Sequence, residues 1–180
     1  MKIIILGAGA VGRTLASLLS EDHDLVVVDQ DTAQLHRLEE ESDIQTLTGG
    51  ASYPNILVNA GIMDADMVVA VTDSDETNIV SCMISKVLNK SVQTVARVRE
   101  ISYLKGKTKE AMDSGEIPVD IHISPEQLIT EHIQGLIEIP GSLQVMEFGE
   151  GQLNLVAVRA VEGGPMIGHE IGDLKKHMPR

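Results

Sequence analysis

Gly7, Gly9 and Gly12 stand as G-x-G-x-x-G directly after the apolar run "IIIL". Each glycine has a distinct use in such a loop. Gly7 permits the tight turn, Gly9 lets backbone approach a pyrophosphate, and Gly12 lets the next helix pack closely on the sheet. The unpaired N–H groups at that helix's start then face the phosphates. The spacing alone is weak, because glycines also fill ordinary turns. Here a strand precedes it, a helix opens on it, and Asp29 ends the next strand, 22 positions after Gly7. That is the context the motif requires. A carboxylate at Asp29 accepts hydrogen bonds from ribose hydroxyls and repels a 2′-phosphate, favouring NAD(H) or an adenine nucleotide over NADP(H).

A second constellation is "VAVTDSDETNIV", Val69–Val80. Thr72 and Asp73 leave a central strand and border the same cleft. Asp73-x-x-Glu76 reads as a helix cap with its partner, close to a capping box. Asp73, Asp75 and Glu76 together suit a helix start through the dipole, which explains them better than acid catalysis does. Arg97, within "VARVR", is the side chain best suited to neutralise a phosphate there, by its planar fork of donors. A strand-end ion pair is the competing reading, and Arg99 points the same way two residues on. No catalytic residue is assigned. The six histidines, among them His122, His132, His169 and His177, form no metal-binding spacing. Cys82, the only cysteine, lies in the amphipathic stretch "NIVSCMISKVL" and reads as a small buried hydrophobe.

The elements that must position these residues alternate. Strands are expected at Lys2–Leu6, Asp24–Val28, Ile44–Leu47, Met67–Val71, Gln93–Val98 and Asp120–Ile123. Helices are expected at Ala10–Ser20, Thr32–Glu41, Pro54–Ala60, Asp75–Leu88 and Tyr103–Gly115, the last basic and surface-lying. A further helix opens at Pro125, within "SPEQLITEHIQGLIEI". Such alternation predicts an α/β fold, a Rossmann-like doubly wound parallel sheet in the order 3-2-1-4-5-6. "IPGS" at Ile139–Ser142 is a turn and a candidate boundary. Beyond it come two strands joined at Gly149–Gly151 and a short helix, a poor independent core. The expected division is therefore a nucleotide-binding domain over 1–140 and the incomplete beginning of a second domain over 141–180.

The 180 residues are 43% apolar and 23% charged, as in soluble globular proteins. A net charge of −13 and three aromatic residues in total argue against nucleic acid as a partner. No signal peptide is apparent, and no apolar run approaches the ~20 residues that span a bilayer. A cytoplasmic setting is expected, with any membrane role passing through a partner.

"MKIIILGAGAVG", "VVVD", "DADMVVAVTDSDETN", "ARVR" and "ISPEQLI", in that order, resemble the RCK, or KTN, domain family of bacterial potassium-uptake regulators. The resemblance covers about 1–141 and continues into "LQVMEFGEG", similar to the start of the family's small C-terminal regulatory domain. It implies that Gly7, Ala8, Gly9, Ala10, Val11, Asp29, Thr72, Asp73 and Arg97 contact NAD(H), ADP or ATP, with Ser52 near the adenine. It further implies a dimer through the crossover helix, a ring in the full-length protein, and a transmembrane potassium transporter subunit as partner. Such a protein works at the inner face of the membrane and is no enzyme. Two departures stand out. Ala10 replaces a polar residue, often Gln, in the glycine loop, and the chain stops inside the first small domain, as a fragment does. A dehydrogenase would need a substrate domain that this sequence does not supply. The remaining alternative is a docking adaptor whose nucleotide only stabilises the fold.

Overall fold

The computed structural model describes residues 1–139, 141–148, 153–162 and 167. Two compact units divide at Pro125: Met1–Pro125 and Glu126–Arg180. The first is built on six parallel strands: β1 (Lys2–Leu6), β2 (Asp24–Asp29), β3 (Gln45–Thr48), β4 (Met67–Ala70), β5 (Gln93–Arg97) and β6 (Ile121–Ile123). Their order is β3-β2-β1-β4-β5-β6, as the alternation predicted. Between them run α1 (Ala10–Leu19), α2 (Thr32–Glu41), α3 (Pro54–Asn59), α4 (Asp75–Leu88) and α5 (Gly106–Asp113).

The unbroken apolar run of β1 follows from its central place. Successive side chains point to opposite faces, and helices cover both. Ile3 and Ile5 join Ala16 of α1 and Leu35 and Leu38 of α2 in one core. Ile4 and Leu6 join Leu57 of α3, Ile79 and Cys82 of α4 and Met112 of α5 in the other. Register is tight across the centre, with Ile5 opposite Val27 on one side and Val69 on the other.

One expected helix is not continuous. In place of a single helix over Tyr103–Gly115 there is a 3-10 turn, Ile101–Leu104, and then α5. Lys105 is extended (φ −133°, ψ 155°) and Gly106 takes φ +55°, so the chain changes direction between them.

In the second unit, α6 runs Pro125–Glu138. β7 (Ser142–Phe148) and β8 (Leu153–Val158) pair antiparallel, as expected from the sequence. The Gly149–Gly151 turn, the short terminal helix and both His169 and His177 lie outside the described residues. Among the described residues no helix is long and apolar enough to cross a membrane.

Candidate functional site

Where β1 ends, the glycine loop is fixed by sterics. Gly7 adopts φ +108°, and a Cβ there would stand 3.0 Å from the Thr72 backbone. A Cβ on Gly12 would meet the Gly7 carbonyl oxygen at 1.8 Å. α1 therefore crosses the loop at a distance that only glycine permits. At Gly9, by contrast, an added Cβ would meet nothing within 4 Å. Gly9 caps α1 without a side-chain hydrogen bond, so the helix N-terminus opens on free space.

That space is a cleft of about 620 Å³ at the C-terminal ends of β1, β2, β4 and β5. Gly7, Gly9, Ala10 and Val11 line one side, Asp29 another, and Thr72, Asp73 and Arg97 the floor and far wall. Though spread in sequence from Gly7 to Arg97, these residues are neighbours because the strand order reverses between β1 and β4. Ala8 does not line the cleft, but its N–H donates to Asp29 Oδ2 at 2.6 Å. The Asp31 N–H donates to Asp29 Oδ1 at 2.8 Å. Asp29 is thus held by two backbone donors, one of them from the glycine loop. Ser52 is half-buried and outside the cleft lining, which Gly49 and Ala51 supply from that segment.

The acids at the start of α4 divide their roles. Asp73 is not the cap: Ser74 is, its hydroxyl accepting from the Thr77 N–H at 3.0 Å. Asp75 is buried and accepts from the Arg99 N–H (2.8 Å) and the Glu100 N–H (2.7 Å). Its other oxygen pairs with the Arg99 guanidinium at 3.4 Å. Arg99 is therefore drawn to α4, while Arg97 faces the cleft. Cys82 is fully buried, and desolvation pushes its thiol up to about 12, with Asp120 adding to the effect. A thiol so placed is inert. Among the described residues no group of His, Cys, Asp and Glu is placed to hold a metal ion.

Residues 3–124, which include every residue lining this cleft, match the TrkA-N domain family. The chain belongs to that family. It is 49% identical over 180 residues to the Trk system potassium uptake protein TrkA of Halomonas elongata, covering 99% of this chain and 39% of the relative. It is 44% identical to the TrkA of Haemophilus influenzae, with the same coverage. The chain thus spans about two fifths of the length of these relatives. The TrkA-N domain of the inner membrane protein YbaL from Escherichia coli superposes with a TM-score of 0.63 at 18% identity, covering 76% of this chain and 96% of that one. The GsuK channel bound to NAD superposes with a TM-score of 0.61 at 22% identity, covering 80% of this chain and 27% of that one. These two likenesses bear on the fold.

Several residues of the TrkA-N cleft were not legible beforehand. Gln30, Asp31, Gln34 and Thr77 also line it. Asp31 caps α2 by accepting from the Ala33 N–H at 2.9 Å, and a cap so soon after Asp29 was the available signal. Asn78, behind the floor, closes the "SDETN" stretch that carried the resemblance, but helical periodicity gave it no role, since an asparagine inside a helix is ordinarily a solvated residue.

Proposed function

We propose that this chain is the nucleotide-sensing part of a potassium-uptake regulator, with NAD(H) or an adenine nucleotide as the ligand of its cleft. The observation that carries the reading is the open space over Gly9, at a helix N-terminus with no side-chain capping hydrogen bond and opposite a carboxylate on β2. A pyrophosphate fits the first and ribose hydroxyls fit the second. Gly7, Gly9, Ala10 and Val11 would hold the phosphates, Asp29 the ribose, and Thr72, Asp73 and Arg97 the farther part of the ligand. Among the described residues the lining includes no His, Lys or Tyr to carry a proton, which supports a bound regulator over a redox reaction.

The names of the relatives support potassium uptake as the process. The partner on this reading is a transmembrane potassium transporter, which brings the chain to the inner face of the membrane. A second copy is the other partner. On α6, Leu128, Ile129, Ile133 and Ile137 are all more than half exposed, an apolar stripe at helical spacing. A nucleotide that prefers one arrangement of such a dimer shifts the population toward it, by no more than its differential affinity.

Calorimetric titration of the chain with NADH, NAD, ADP and ATP at fixed salt tests the proposal. The expected result is binding of several of them without turnover, and a loss of about tenfold or more in Asp29→Ala. Binding of NAD(H) alone with hydride transfer to an added substrate would overturn it in favour of a dehydrogenase. Silence toward all four would overturn nucleotide sensing altogether.

A further inference from the structure

Asn78 is fully buried on α4, one turn beyond the Ser74 cap. Its Oδ1 accepts from the Thr72 N–H at 2.9 Å and from the Thr72 hydroxyl at 2.7 Å. Its Nδ2 donates to the Arg97 carbonyl at 2.9 Å and to the Thr72 carbonyl at 3.4 Å. A carboxamide has two donor hydrogens and two acceptor sites, and all four are used. The β4–β5 ladder ends at the pair Ala70–Ala96. Beyond that pair Asn78 bridges the two strand ends from inside, while the Arg99 guanidinium, donating to the Asp73 carbonyl, links them farther out. Both of its backbone partners belong to residues that line the cleft, while Asn78 itself does not.

We infer that Asn78 is a positioning residue of the cleft, fixing Thr72 and Arg97 relative to each other and passing ligand occupancy on to α4. The inference rests on the cleft being the nucleotide site proposed above. An apolar residue would pack between helix and sheet as well or better, but would leave the Thr72 N–H and the Arg97 carbonyl without this partner. Asp75, one turn earlier, holds Arg99 and Glu100 by their N–H groups. The first two turns of α4 thus grip the chain on both sides of the floor, at Thr72 and at 97–100. A ligand that tightens the floor tightens the start of α4 with it.

Asn78→Asp keeps the shape and the acceptors but removes both donors toward Arg97 and Thr72. Cys82→Ala, on the same helix and outside the cleft lining, is the control for a purely structural loss. With NADH and ADP as probes, and folding checked by circular dichroism, Asn78→Asp is expected to lose affinity by about tenfold. Cys82→Ala is expected to keep it. Wild-type affinity in Asn78→Asp, or an equal loss in both variants, would overturn the inference while leaving the nucleotide site standing. Failure of the unsubstituted chain to bind either probe would overturn both. Hydrogen exchange on the unsubstituted chain covers the case in which Asn78→Asp does not fold. Addition of NADH is expected to slow exchange at the Thr72 and Thr77 amides, and unchanged exchange at both would overturn the proposal.

Discussion

The carboxylate of Asp120, just before β6, lies 2.7 Å from Lys86 Nζ and accepts from the Thr94 N–H (2.7 Å) and hydroxyl (3.0 Å). Burial works against its charge, yet the Lys86 ammonium and the two Thr94 donors together outweigh it. Its pKa therefore lies below the usual carboxylate value. A depressed carboxylate contributes stability above its unfolded pKa, about 4, and loses it as pH falls through the lower folded value. Asp120→Asn is accordingly expected to be less stable than the unsubstituted chain at neutral pH, with the gap closing below about pH 4. Urea unfolding across that range checks this, and a gap that persists in acid would contradict it. The sequence placed Asp120 in a strand but gave no view of Lys86, which α4 brings from 34 positions away. The two arginines show the same limit. Strand alternation put Arg97 and Arg99 on one side, and only the buried Asp75 separates them.

At the scale of elements, the glycine loop separates two properties that one motif confers. Gly12→Ala drives a methyl into the Gly7 carbonyl, and overpacking of this kind costs about 1–3 kcal/mol or more. Gly9→Ala meets no atom, so its effect on stability is expected within about 0.5 kcal/mol. On the proposed function it nonetheless weakens NADH binding, because its methyl occupies the space above the helix N-terminus. Urea unfolding and titration of both variants check the pair. Normal binding by Gly9→Ala would place the ligand elsewhere. The elements themselves were legible wherever apolar runs alternate with amphipathic ones. The split at Lys105–Gly106 was not, because nothing in "YLKGKTKEAM" announces a left-handed glycine.

For the whole molecule, the open question is the apolar face of α6. Leu128, Ile129, Ile133 and Ile137 are 51–72% exposed. At roughly 25 cal/mol per Å² of apolar surface removed from water, a second copy covering such a stripe gains appreciably. Ile129→Glu combined with Ile133→Glu is expected to give a monomer by sedimentation while leaving nucleotide affinity unchanged, since every lining residue of the cleft falls between Gly7 and Arg97. Retention of the parent's oligomeric state would assign self-association to another surface. The net charge of −13 acts against close approach of two copies, so association is expected to strengthen as salt rises.

The sequence by itself determined the order of elements, the parallel sheet and the loop that opens it. Those follow from local periodicity and from what glycine alone tolerates, and both are written in contiguous residues. It also put Asp29, Thr72, Asp73 and Arg97 at strand ends, which in a doubly wound sheet converge on one cleft. Tertiary structure decided the rest: Gly49 and Ala51 in the lining in place of Ser52, Ser74 as the cap in place of Asp73, and Arg99 turned toward Asp75. It alone set Asn78 between Thr72 and Arg97. Each of these depends on which polar groups meet across distant segments once burial leaves them no water, and no spacing along the chain encodes that meeting.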